Sequence, residues 1–233
     1  MKPMPSALKV LNWITGAVFA VSLYLVFFYA PREAVMGEVQ RVFYFHVAAG
    51  WVGALAFLVT AIAGGVVLAR GDHRWDRVAL ASVEIGVVFT FINIASGAIW
   101  ARPIWNTWWT WDPRLTTATI MELIYVAYLM LRQGIEDPDR QARFAGVYGI
   151  VGFISVPLTF LSIRIFRTIH PVVIGNSDPG AEGTFDMTPN MRTTFFFSLI
   201  TFTFIYATLL WHRLRLQVFK ETIQERKMKV LST

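Results

Sequence analysis

The sequence contains no cysteine. Disulfides, thiolate metal sites and cysteine nucleophiles are thereby excluded, and histidine, methionine and the carboxylates are left as metal ligands. Charge is also scarce. Asp, Glu, Lys and Arg make up 15% of the chain, against about a quarter in soluble domains. Hydrophobic residues reach 55% and the mean hydropathy is +0.52, which is the composition of an integral membrane protein. The net charge of +6 does not point to nucleic acid, because the positive residues gather in short loops and in the tail. Neither an internal repeat nor a separate soluble domain is visible, so residues 1–233 read as a single integral membrane domain. The first apolar run is too long for a signal-peptide core and has no clear small-residue cleavage site. It reads as a retained helix.

What the chain does have is long apolar runs. Six segments can each cross a hydrocarbon core of roughly 30 Å, which takes about 20 residues. They are expected near Val10–Ala30, Val42–Ala69, Val78–Trp100, Leu115–Leu131, Phe144–Ile165 and Thr193–Trp211. The fold class is therefore all-α, a polytopic bundle of six transmembrane helices. Before the second span, Val35, Met36, Val39, Val42 and Phe43 share one helical face, so Ala34–Tyr44 is expected to be a short interfacial helix. Counting Lys and Arg in alternate loops gives 14 on the side of the termini and 7 on the other. By the positive-inside rule both termini are cytoplasmic and the loop after the third span faces outward. The tail from about residue 212 to 233 is expected to be a short cytoplasmic helix.

That outward loop, about residues 100–115, reads WARPIWNTWWTWDPRL. Five of the nine tryptophans, Trp100, Trp105, Trp108, Trp109 and Trp111, fall within its first twelve residues. Trp100 can serve as an interfacial belt residue, as Trp13, Trp51, Trp75 and Trp211 do elsewhere. The set Trp105, Trp108, Trp109 and Trp111 is denser than anchoring requires. Indoles offer wide apolar faces and an N–H donor to a flat ligand. Arg102 and Arg114 flank them and can pair with carboxylates in two-pronged hydrogen bonds. Asp112 reads either as a direct contact to the ligand or as a brace, accepting from loop N–H groups, pairing with Arg114, or capping the fourth helix with Pro113 at its first position.

The four histidines divide by side. His73 and His212 fall at the cytoplasmic interface and read as ordinary interfacial residues. His46 and His170 fall on the tryptophan side, His46 about one turn inside its span and His170 before Pro171, which restrains its backbone. Each can be a satisfied structural residue. Together they can also ligate one iron from opposite faces of a porphyrin. Neither a third outward histidine nor a cysteine exists to complete a zinc site.

Within the spans, Glu84, Asn93 and Glu122 are expected to face the bundle interior. Structural hydrogen bonding or a proton path are their two uses, and the second would suit a proton-coupled transporter. Pro157 is expected to kink the fifth span, with Ser155 and Thr159 compensating freed backbone groups. The loop Gly175–Asn190 carries Asp178, Glu182 and Asp186 without a basic residue. It reads either as a mobile loop or as an acidic surface for a soluble partner.

The stretch WNTWWTWDPRLT closely resembles the tryptophan-rich "WWD" signature of haem-handling membrane proteins in cytochrome c maturation. Within that group the chain is similar to the haem exporter protein C (CcmC) family, with RVFYFHV around His46 and RTIHP around His170 in the places of its two histidine segments. The resemblance spans essentially the whole chain. It implies that haem b is bound at the outer face of the bacterial inner membrane with bis-histidine ligation by His46 and His170. It also implies presentation of that haem to a periplasmic haem chaperone (CcmE type), beside ABC transporter subunits and a small single-span subunit. This is haem transfer in cytochrome c biogenesis rather than conventional enzymology. Two positions depart from the family pattern: Asn106 stands where Gly is usual and Ala48 where Pro often follows the histidine–valine pair. Asn tolerates left-handed backbone angles, so the loop turn is expected to survive. The larger cytochrome c synthase (CcsA type) shares the signature, but has further histidines within its spans and a KET-like ending where this chain reads RLT.

Overall fold

A computed structural model describes residues 3–34, 36–166, 168–170 and 187–231. Six stretches are long and apolar enough to cross a membrane, and among the described residues the only pairing of extended chain is a single bridge between Glu33 and Gly37. Helix α1 spans Ser6–Tyr24 and ends in a π-helical turn, Leu25–Tyr29, closed by Ala30 N–H donating to Leu25 O at 2.8 Å. A short 3-10 turn, Glu38–Arg41, leads into α2 (Val42–Arg70). Then follow α3 (His73–Trp105), α4 (Pro113–Gln133), α5 (Pro138–Phe153), α6 (Ser155–Ile165) and α7 (Pro189–Leu231). Helices α5 and α6 together make the fifth span. The acidic residues Asp178, Glu182 and Asp186 lie outside the described residues, as do Val35 and Arg167.

The helix starts are written into the sequence. Asp72, Asp112 and Asp137 each cap a helix by accepting a backbone N–H, from Arg74, Leu115 and Arg140 respectively. Pro113 and Pro138 occupy first-turn positions, where a missing N–H costs nothing. The break between α5 and α6 follows from Pro157, which cannot donate to Phe153 O. Around the break, Ser155 Oγ donates to Gly152 O at 2.6 Å and Thr159 Oγ1 to Ser155 O at 2.8 Å.

Helix α2 is the axis of the bundle, running along α3 and flanked by α5 and α7, while α1 packs chiefly on α7. Its approach to α5 depends on two glycines. A Cβ on Gly64 would lie 2.8 Å from Gly146 O, so only hydrogen at both positions lets the backbones meet. Phe57 of α2 stacks on Tyr125 of α4, with ring centres 3.5 Å apart. At the end of the bundle away from the chain termini, Val26, Phe43, Tyr44, Trp100, Met191 and Phe195 form one apolar cluster from α1, α2, α3 and α7.

Two carboxylates inside the spans are paired with arginines, whereas Glu122 has a buried carboxylate oxygen, Oε2, without a hydrogen-bond partner among the described residues. Glu84 receives a two-pronged bond from Arg213 at 2.5 and 2.6 Å, and Asp76 one from Arg132 at 2.6 and 2.7 Å. The expectation that Glu84 faces the interior holds, and its partner comes from what had been read as the tail. His73 meets Asp139 and His212 meets Asn12, in keeping with ordinary interfacial roles.

Three boundaries differ from the sequence reading. Ala34–Tyr44 is not one interfacial helix: Gly37 has a φ of +60°, which interrupts it. Met36, Val39 and Val42 nevertheless pack on the apolar cluster beside them. The tail is no separate helix, because α7 continues unbroken through Leu231; at about 1.5 Å per residue it far exceeds one bilayer crossing. Finally, α3 runs on through Pro103 to Trp105, so the irregular connection shrinks to residues 106–112.

Candidate functional site

The shortened connection is where the site forms. Helix α3 ends at Asn106, whose φ of +55° is left-handed, the conformation anticipated for an Asn in place of Gly. Arg102 donates to the Asn106 side chain and thereby braces the turn. Thr107 Oγ1 donates to Trp109 O at 2.9 Å, and Asp112 then opens α4. The chain is folded back on itself within seven residues, and the indoles are spread to different sides.

Beneath the loop lies a partly open cleft between the end of α3, the start of α4 and the segment 168–170. Its walls are Trp100, Trp105 and Trp109, the small residues Gly97, Ala98, Ala101 and Ala118, and both His46 and His170. Arg114 also lines it. One arm of that guanidinium donates to Thr159 O at 2.5 Å, and the group lies 4.8 Å from the Phe160 ring centre.

His46 is 8% exposed and held from three directions. Its Nδ1 lies 2.9 Å from Asn93 O and 3.2 Å from Ser96 Oγ, and Asn93 Nδ2 donates to His46 O at 2.8 Å. A carbonyl acceptor at Nδ1 requires the proton there, so Nε2 carries a free lone pair. Gly97 supplies the floor. A Cβ at that position would stand 2.9 Å from His46 Cε1.

His170 approaches from the opposite wall. The two imidazole centres are 6.4 Å apart, with ring planes inclined by 40°. Its backbone N–H donates to Thr168 Oγ1 at 3.1 Å, and Thr168 Oγ1 in turn donates to Asp112 Oδ2. The other carboxylate oxygen, Oδ1, accepts from Leu115 N at 2.9 Å.

The expected site residues therefore separate. His46, His170, Trp105, Trp109 and Arg114 meet at the cleft, whereas Trp108 and Trp111 are 59% and 76% exposed and stand off it. Arg102 and Asp112 do not line it; they hold the turn and the cap. Trp100, read from sequence as a belt residue, is buried at 2% exposure in the wall. Asn93 was visible as an intramembrane polar residue, but its role as anchor of His46 was not. Thr168, two residues before His170, gave no signal. The buried Trp100 Nε1, Trp109 Nε1 and Thr110 Oγ1, all on cleft-lining residues, have no hydrogen-bond partner among the described residues. Buried donors without partners are costly, and a ligand with acceptor groups would satisfy them.

Fold and site thus define a multi-pass helical membrane protein with an aromatic-walled, two-histidine cleft at one end of its bundle. A family model described as "Heme exporter protein C" matches residues 2–229, and the chain belongs to that family. It is 29% identical over 223 residues to the Heme exporter protein C of Bradyrhizobium diazoefficiens, covering 94% of this chain and 83% of the relative. To that of Rhodobacter capsulatus it is 35% identical over 162 residues, 68% of this chain and 67% of the relative. To that of Escherichia coli strain K12 it is 29% identical over 189 residues, 81% and 74% respectively. Membership places the chain among the haem-handling membrane proteins of cytochrome c biogenesis.

Proposed function

We propose that this protein binds haem b in the cleft, at the outer face of the bacterial inner membrane, with His46 and His170 as axial ligands. It presents that haem to a periplasmic haem chaperone of the CcmE type, beside ABC transporter subunits and a small single-span subunit. The observation that carries the reading is the pair of histidines lining one cleft with ring centres 6.4 Å apart. Metal–imidazole bonds are about 2 Å long, so two rings sharing one metal from opposite sides stand with centres roughly 6 Å apart. The free lone pair on His46 Nε2 supports it further. So do the indole wall, which suits a flat macrocycle, and the Arg114 guanidinium, which suits a propionate.

Two neutral imidazoles occupy both axial positions of the iron and exclude oxygen from it. The cleft is partly open, which would let a macrocycle edge reach a partner while the iron stays protected. Mixing the haem-loaded protein with the soluble domain of the periplasmic haem chaperone tests presentation. Haem is expected to pass to the chaperone, and no transfer from a fully loaded protein would contradict the reading.

A further inference from the structure

The two histidines are fixed by unlike means. His46 sits in the first turns of α2 and is locked against α3 by Asn93 O and by Gly97. His170 lies in a segment, 168–170, that belongs to no helix, because α6 ends at Ile165 and Phe166 turns to extended backbone. No helical hydrogen bond sets where it stands. Among the described residues, a relay of three groups ties this segment to the bundle. Asp112 Oδ2 accepts from the Thr168 hydroxyl, and the same oxygen of Thr168 accepts from His170 N–H at 3.1 Å. A threonine hydroxyl has one proton and two lone pairs, so its proton is committed to the carboxylate and one lone pair to the histidine backbone.

Asp112 is well suited to anchor such a relay. A carboxylate has two acceptor oxygens, and they are divided here: Oδ1 caps α4 through Leu115 N–H and Oδ2 takes the threonine proton. One side chain thus joins the end of the tryptophan loop, the start of α4 and the backbone of the second histidine. A hydroxyl donating to a carboxylate is among the stronger hydrogen bonds, and Asp112 is only partly exposed.

We propose that Asp112, acting through Thr168, is a positioning residue that holds the His170 imidazole across the cleft from His46. The proposal rests on the reading in which both histidines ligate haem iron. It assigns the aspartate of the tryptophan loop a task other than touching haem, and it makes the place of His170 depend on the relay while that of His46 depends on α3.

The test uses full-length protein loaded with haem b, as wild type, Thr168→Val, Thr168→Ser and His170→Ala. Valine keeps the shape and removes the hydroxyl, and serine restores it. The readouts are the ferric spin state by absorption and electron paramagnetic resonance, and carbon monoxide association with the reduced protein. Wild type and Thr168→Ser are expected to be low-spin and slow. Thr168→Val is expected to keep its haem stoichiometry yet show a high-spin fraction. Its carbon monoxide association should rise roughly tenfold, as for loss of one charge-assisted hydrogen bond, toward the His170→Ala value. Added imidazole is expected to return it to low spin. If Thr168→Val does not accumulate, Asp112→Asn carries the same test, since its single amide oxygen can keep the α4 cap but removes the anionic acceptor. A low-spin wild type with a Thr168→Val protein identical to it in spectrum and rate overturns the relay alone. Loss of haem occupancy without any spectral change also overturns it, as a mere packing role. A wild type without the low-spin spectrum overturns the ligation reading beneath, and the relay with it.

Discussion

At His46 a single hydrogen atom decides whether the ring can stand where it does. Gly97 lies so close that an added Cβ would be 2.9 Å from Cε1, inside van der Waals contact, and the neighbour is a ring already tied to Asn93 O rather than a free side-chain end. Gly97→Ala must therefore move the imidazole. Overpacking typically costs about 1–3 kcal/mol, so haem affinity, followed by absorption titration, is expected to fall about tenfold with folding intact. Unchanged affinity would show that His46 is not a ligand or is free to tilt. Arg114 offers a second test at this scale. If its guanidinium pairs with a propionate, wild type should prefer haem over haem dimethyl ester by roughly tenfold. Arg114→Gln should bind the two alike, and a preference that survives the substitution would place propionate recognition elsewhere.

Among the elements, the apolar runs and the Asp-Pro start of α4 were legible because their physics is local: bilayer-length hydropathy and first-turn capping depend on residues near in sequence. The end of α3 was not. The apolar run stops at Trp100, yet the helix continues through Pro103 to Trp105, since one lost backbone bond in a last turn costs little when Trp100 is buried behind it. Pairings between distant elements were likewise out of reach. Nothing local links Glu84 to Arg213 or Asp76 to Arg132, although each membrane-buried charge demanded some partner. The Asp76–Arg132 pair, with side chains 14% and 8% exposed, gives the prediction at this scale. Arg132→Met leaves Asp76 buried alone and is expected to destabilise the bundle by about 3–5 kcal/mol. The double variant Asp76→Leu with Arg132→Met should recover most of that loss. Thermal unfolding in detergent reads both, and additive losses would show that the two residues do not act as a pair.

Over the whole molecule, six spans return the chain to the side where it began, and the site gathers at the far end. Sequence gave both histidines and the tryptophans of that end, because charge counting sorts loops by side without any knowledge of contacts. It did not separate cleft indoles from exposed ones: Trp109 and Trp111 differ by two residues, yet one lines the cleft and the other is 76% exposed. That outcome is set by the left-handed turn at Asn106 and the Thr107 bond, which direct each ring in turn. The absence of cysteine makes the orientation simple to test. In spheroplasts, a membrane-impermeant maleimide should label Trp108→Cys without lysis and Lys227→Cys only after it; the reverse pattern would invert the topology. The most direct measurement of the central claim is the spectrum of the purified, haem-loaded protein, ferric and reduced, beside His46→Ala and His170→Ala. The account predicts a low-spin, six-coordinate haem in wild type and loss of that signature in each single variant. A wild-type spectrum carried unchanged through both substitutions would contradict it.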